Sequence, residues 1–163
     1  MKTLKEHIAK IFAQAVVCRT RKWSSRPFET QKKVFHKLIK KGKNTVFGKE
    51  HNFKNVFTHQ DFINSVPVRD YEGLRPYFER VVDGEKNITW PGKPLYFAKT
   101  SGTTSGVKYI PITKDSMPTH VRGSRDATLH YINETGKTDL LNKKFIFLQG
   151  SPVLEKTTGI NTG

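Results

Sequence analysis

Lys99-Thr100-Ser101-Gly102-Thr103-Thr104-Ser105-Gly106-Val107-Lys108 is a hydroxyl- and glycine-rich stretch between two runs of strand character. Leu95-Tyr96-Phe97-Ala98 precedes it and Val107-Lys108-Tyr109-Ile110-Pro111 follows, so it reads as the tip of a strand–loop–strand unit. Gly102 and Gly106 let the backbone take positive φ and come close to a ligand. The hydroxyls of Ser101, Thr103, Thr104 and Ser105, with successive N–H groups, can converge on oxyanions. Lys99 and Lys108 add positive charge on both flanks, and a lysine is a mobile point charge suited to phosphate. The stretch fits a polyphosphate; the competing reading is a solvated Gly/Ser/Thr turn of a β-hairpin. Spacing excludes two commoner phosphate loops. Only three residues separate Gly102 from Gly106 where a Walker A loop needs four, and Val107 stands where its lysine belongs. The dinucleotide pattern Gly-x-Gly-x-x-Gly is absent from this stretch.

Working outward, the chain carries 29 Lys and Arg against 14 Asp and Glu, a formal charge of +15 over 163 residues. That length fits one domain able to bury a core. The charge brings nucleotides, nucleic acid and anionic membrane into consideration. The cations are spread along the chain, densest at Arg19 to Lys22 and Lys37 to Lys43, which reads as a solvated surface. A basic nucleic-acid-binding module without enzymatic activity is the alternative function. It is the weaker one, because no recognisable nucleic-acid motif is present and the central loop suits a smaller polyphosphate.

Cys18 is the only cysteine, which excludes an intrachain disulfide and a cysteine zinc site; it is expected to be a small buried apolar residue. The six histidines show no His-Glu-x-x-His or other close ligand spacing, so no metal site is expected. Asp70, Glu72 and Glu79 are read as caps and surface ion pairs, and Tyr71, Tyr77 and Phe78 as packing residues. No Gly-x-Ser-x-Gly elbow supports a hydrolase. Glu6, His7 and Gln14 interrupt the leader-like start, Arg19-Thr20-Arg21-Lys22 makes a poor cleavage region, and no run is long enough to span a membrane. A cytoplasmic location is expected.

The flanking periodicities predict an α/β fold in which an N-terminal helical layer packs on a mixed β-sheet. Leu4, Ile8, Ile11, Phe12, Ala15 and Val16 mark the apolar face of an opening helix, expected to pack on a second helix from Pro27 to Gly42. Asn44 to Lys49 reads as a loop anchored by Phe47, Phe53 and Phe57. Thr58 starts a short helix ended by Val66-Pro67, Asp70 to Leu74 forms a helical turn, and Pro76 opens a further helix closed by Gly84. Thr113 is expected to cap a helix running to Gly136, with Pro118 in its first turns. The expected strands are Leu95–Ala98, Val107–Ile110 and the apolar run Phe145–Leu148.

Val66-Pro67-Val68-Arg69-Asp70-Tyr71-Glu72, Pro76-Tyr77-Phe78-Glu79-Arg80, Gly84-Glu85, Trp90-Pro91-Gly92 and the central loop occur in one order. Together, and with Thr45-Val46-Phe47-Gly48, Gly123-Ser124-Arg125-Asp126 and Gly150-Ser151, they resemble the auxin-responsive promoter family of acyl acid amido synthetases, a branch of the adenylate-forming enzymes. The resemblance covers nearly the whole chain. It implies a ligase that activates a carboxylic acid with ATP and Mg2+ as an acyl-adenylate and passes the acyl group to an amine or amino acid. It implies that Thr100, Ser101, Gly102, Thr103, Thr104, Ser105 and Gly106 bind the nucleotide's phosphates and that Lys108 serves catalysis. Residues 1–163 then correspond to the incomplete N-terminal portion of a larger adenylate-forming domain. The acyl pocket, the adenine contacts and a C-terminal domain are expected beyond Gly163, so the chain is expected to be inactive alone.

Overall fold

The structure, a computed structural model, describes residues 4–100 and 108–144 and the backbone of residues 155–157 and 160–162. Two compact units form, residues 1–31 with 115–148 and residues 32–114 with 149–163.

In the first unit, helix α1 (Leu4–Ser24) packs on helix α6 (Met117–Thr135). α6 begins after Ser116 instead of at Thr113, which places Pro118 in the first turn, where its missing N–H breaks no helical bond. Gly136, at φ 66°, closes it by donating its N–H to the Ile132 carbonyl at 2.9 Å. The contact is made by Ala13 and Val16 against Leu129 and Ile132, flanked by Leu140 and Leu141. α1 therefore finds its partner in α6 and not, as expected, in the second helix.

The buried face of α1 also differs from the expected one. Ala13, Val16 and Val17 are buried, whereas Leu4, Ile8, Ile11, Phe12 and Ala15 are exposed, Ile11 at 69%. Residues seven apart or four apart share a side of a helix, so both sets satisfy the helical period, on opposite sides. The side with the smaller residues meets α6. Cys18 lies with the outward set and is exposed, which corrects its expected burial. At the edge of the contact Asp126 accepts from Arg19 at 3.0 Å and from Arg125 at 2.7 Å. The Arg125 hydrogen bond, ahead of the charges of both arginines, holds the Asp126 carboxyl below its ordinary range.

The second unit holds the aromatic core. Helix α2 (Pro27–Gly42) leads to Thr45, and the segment expected as a loop forms a short helix, α3 (Val46–Glu50). Five residues are too few to show a period, so caps carry this helix. The Thr45 hydroxyl accepts from the Gly48 N–H at 3.0 Å and donates to the Gly42 carbonyl at 2.7 Å. The Val46 and Phe47 N–H groups reach the Asn87 and Ile88 carbonyls at 2.8 and 3.0 Å. Gly48 sits so close to the end of α2 that a Cβ would stand 2.1 Å from the Gly42 carbonyl oxygen.

Ile39, Phe53 and Val56 form one buried cluster, with Phe35, Phe47, Phe62 and Val66 against it. Phe57, expected as an anchor, is 67% exposed. Helix α4 (His59–Ser65) opens with a reciprocal cap between Thr58 and Asp61 and ends at Val66. Helix α5 (Tyr71–Val82) is continuous through Pro76, where a turn and a separate helix were expected. Pro76 brings no N–H for the Glu72 carbonyl. Packing of Tyr77, Val81 and Val82 on Ile88 and Phe97 keeps the helix in one piece.

The sheet is mixed, as expected, with strand order β2–β1–β4–β3. Strands β1 (Tyr96–Thr100) and β2 (Lys108–Ile112) are antiparallel, β4 (Ile160–Thr162) runs parallel to β1, and β3 (Glu155–Thr157) is antiparallel to β4. β1 and β2 each lie one or two residues later than the apolar runs suggested; the run Phe145–Leu148 lies outside the described residues. The helical layer is supplied by α3 and α5, whose Val46, Tyr77, Val81 and Val82 surround fully buried Phe97 of β1.

Candidate functional site

The connected end of the β1–β2 hairpin gathers the described site residues. Thr100 is the last residue of β1, Lys108 the first of β2, and the two are paired across the ladder. Ser101, Gly102, Thr103, Thr104, Ser105 and Gly106 lie between them, outside the described residues. The pairing register thus brings the two ends of the polar stretch side by side.

Helix α5 supports this end of β2. Asp70 caps the helix by accepting the Gly73 N–H at 2.9 Å, which fixes Tyr71 as its first residue. The Tyr71 hydroxyl accepts the Tyr109 N–H at 2.9 Å. Among the described strands β2 is at the edge, and two residues on Pro111 has no N–H, so the outward donors at Tyr109 and Pro111 are used or missing. The Tyr71 ring stacks on Phe78 with centroids 5.3 Å apart and planes at 29°.

Two cations share the Tyr71 ring. Lys108 Nζ lies 5.4 Å and Arg75 Cζ 5.6 Å from its centroid, both within cation–π range. Arg75 also grips both Glu72 oxygens, at 2.6 and 2.7 Å. That bidentate pair is the main reason the Glu72 carboxyl sits below its ordinary range; the Arg75 and Lys108 charges add to it and Asp70 opposes. No carboxylate lies within ion-pair distance of Lys108 Nζ among the described residues. Its three donors remain available to an anion.

Beside this cluster a cavity of about 310 Å³ is walled by Tyr71, Phe78, Val82 and Tyr109, with Arg75, Glu79 and Asp83 also lining it. Among the described residues no three His, Cys, Asp or Glu side chains come together to hold a metal. No described helix is long and apolar enough to cross a membrane.

The expected roles of Asp70 as a cap, of Glu72 in an ion pair and of Tyr77 and Phe78 in packing agree with these contacts. What sequence reasoning missed is that Lys108 and Arg75 share the Tyr71 ring while Arg75 holds Glu72. Tyr71 and Tyr109 are 38 residues apart in the chain, and no spacing rule joins them.

Comparison with known proteins bears on this arrangement. Residues 18–163 match the family model described as the GH3 family N-terminal domain. The chain is 28% identical over 86 residues to indole-3-acetic acid-amido synthetase GH3.3 of Arabidopsis thaliana, covering 52% of this chain and 14% of the relative. It is 28% identical over 120 residues to jasmonoyl-L-amino acid synthetase JAR6 of Nicotiana attenuata, covering 72% and 21%. A second Nicotiana attenuata protein, jasmonoyl-L-amino acid synthetase JAR4, is 22% identical over 136 residues, covering 82% and 23%. The chain thus spans less than a quarter of the length of these relatives.

Proposed function

The chain belongs to the GH3 family, and from that premise we propose that it carries the phosphate-binding part of an ATP-dependent acyl acid amido synthetase. In the first step a carboxylate oxygen of the acid attacks the α-phosphorus of MgATP, and pyrophosphate leaves with the bonding electrons. In the second, an amine or amino acid attacks the acyl carbon of the adenylate, AMP departs and the nitrogen loses a proton. A magnesium ion would arrive with the nucleotide and would screen its phosphate charge, since no three described His, Cys, Asp or Glu side chains come together to hold one. The acid and the amine are of the kinds named for the relatives, an indole-3-acetic or jasmonic type of acid and an amino acid. The acyl pocket and the C-terminal domain belong to the rest of such a synthetase.

In-line attack at phosphorus requires the triphosphate to be held still and its spreading charge to be met by preorganised donors. Thr100, Ser101, Thr103, Thr104 and Ser105 supply hydroxyl and backbone donors, and Gly102 and Gly106 permit close backbone approach. Lys108 meets the charge that develops as pyrophosphate leaves. The observation that carries this reading is the placement of Lys108, paired with Thr100 at the connected end of the hairpin, its ammonium over the Tyr71 ring and without a carboxylate partner among the described residues.

The test is acid-dependent exchange of pyrophosphate into ATP by the synthetase polypeptide containing this chain, with indole-3-acetate and jasmonate as probe acids. Lys108→Ala should slow exchange by about one to two orders of magnitude, the value of a charge-assisted contact made mainly in the transition state, and weaken ATP binding less. Gly102→Val should damage nucleotide binding as well, by denying the backbone its close approach and φ freedom. Unchanged exchange in folded Lys108→Ala rejects the role of this lysine. Retention on long DNA that falls steeply with salt and ignores ATP would favour the nucleic-acid reading instead.

A further inference from the structure

We propose that Tyr71 and Arg75 are positioning residues for Lys108. Tyr71 gives the ammonium an aromatic face to rest on, and Arg75 occupies Glu72 so that this carboxylate does not capture the lysine. The proposal rests on the phosphate-binding role given to Lys108 and extends it to Tyr71, read from the sequence as a packing residue, and to Arg75.

A phosphate-binding lysine faces two opposing requirements. Its flexible stem loses conformational entropy when it is ordered, which favours a fixed partner in the free protein. A carboxylate partner would order it but would also neutralise it and compete with the incoming phosphate. An aromatic face orders the ammonium through the ring quadrupole and leaves its charge and its three donors in place. Tyr71 is suited to this because it is held at three points. Its backbone starts α5 behind the Asp70 cap, its hydroxyl accepts from the N–H of Tyr109, the neighbour of Lys108, and its ring stacks on Phe78. Lys108 and the surface it rests on are therefore tied to each other through the backbone as well as the side chain.

Glu72 is the carboxylate that could spoil the arrangement, since it follows Tyr71 directly and lies near enough for the Lys108 charge to act on it. Arg75, three residues on and so on the same side of the helix, takes both of its oxygens at 2.6 and 2.7 Å. A monodentate lysine does not displace a planar bidentate partner readily. Of the other acids near the cluster, Asp70 accepts the Gly73 N–H through one oxygen, and Glu79 and Asp83 line the adjacent cavity. Removing Arg75 alone should therefore do harm by freeing Glu72, and removing Glu72 as well should undo that harm.

The experiment uses the 163-residue chain with inorganic tripolyphosphate as probe, following the Lys108 side-chain Cε and Hε resonances by NMR and affinity by calorimetry. In the unmodified chain the Lys108 Hε signals should show a ring-current shift that survives in Tyr71→Phe and vanishes in Tyr71→Leu. Tyr71→Leu should weaken tripolyphosphate binding about two- to five-fold, the measure of one cation–π contact at a partly exposed site. Arg75→Gln should weaken it as well, and Arg75→Gln with Glu72→Gln should restore it. A purely structural role of Arg75 would leave the double variant as weak as the single one, and that outcome overturns the proposal, as does a Lys108 signal without ring-current shift. If Tyr71→Leu fails to fold, the Arg75 and Glu72 variants decide. If Lys108→Ala leaves tripolyphosphate binding intact, the phosphate reading itself falls, whereas weakened binding in Lys108→Ala beside unchanged binding in Tyr71→Leu overturns only the positioning.

Discussion

Helices α1 and α5 both pack through valines, but α1 adds Ala13 to its buried side and α5 adds Tyr77. α1 buries Ala13, Val16 and Val17 and turns Leu4, Ile8 and Ile11 outward. α5 turns Tyr77, Val81 and Val82 inward and leaves Glu72, Gly73 and Glu79 exposed. The difference follows from the partner. α6 presents Leu129 and Ile132, so close packing calls for small residues opposite them, whereas α5 lies over Ile88 and Phe97, where rings can fill the space. Apolar periodicity identifies a helix, and the shape of what it meets selects the face.

The largest effect that would test this contrast is expected at Gly48. Its Cβ would stand 2.1 Å from a backbone carbonyl that cannot move without shifting α2, so Gly48→Ala should lower stability by about 3 kcal/mol in urea unfolding. At Gly73 of α5 a Cβ meets only the Arg69 side chain, at 3.1 Å, and Gly73→Ala should be tolerated. Equal losses at the two positions would show that helix geometry, and not contact with α2, makes glycine necessary.

A smaller effect separates the two faces of α1. Val16→Ala removes buried methyl groups from the α6 contact and should cost about 2 kcal/mol. Ile11→Ser, on the outward face, should stay within about 0.5 kcal/mol. Reversed values would mean that α1 packs by its larger residues.

Thr58→Ala should cost about 1 kcal/mol by removing the N-cap of α4. The companion carboxylate adds a pH dependence. The Asp61 carboxyl is held below its ordinary range, first by the Phe57 N–H and then by the Thr58 N–H and hydroxyl. Its folded pKa lies below its unfolded one. The stability it contributes is therefore present above the unfolded value and lost as pH falls through the folded value. Asp61→Asn should remove that part of the acid limb in a pH series of unfolding curves.

The smallest expected effect is a gain. Gly123 lies inside α6 with nothing within 4 Å of its would-be Cβ, so Gly123→Ala should stabilise the chain by about 0.5–1 kcal/mol in thermal melts. A loss there would point to close packing on that face of α6.

Much of the fold was legible because strong local signals agreed with one another. Pro27, Thr58 and Gly136 punctuate α2, α4 and α6 through φ preference and capping, which act within a few residues. The runs around Phe97 and Ile110 marked β1 and β2 by their short apolar and aromatic character. The polar stretch between them identified Thr100 and Lys108 as its ends. α3 escaped because its helical bonds depend on Thr45 and on the distant carbonyls of Asn87 and Ile88. The continuity of α5 escaped because proline's local penalty is outweighed by packing on residues beyond the helix.

By itself the sequence determined the ends of α2 and α4, the close of α6 at Gly136, both strands of the hairpin within a residue or two, and that a polar, cation-flanked stretch lies between those strands. These follow from backbone sterics and short-range hydrogen bonds, which the nearest few residues control. The tertiary structure alone decided which face of α1 is buried, that Gly48 touches the Gly42 carbonyl, and that Tyr71 carries Lys108 while Arg75 holds Glu72. Each depends on surfaces that meet only after folding, where side-chain volume and charge from separate parts of the chain act at a few ångströms.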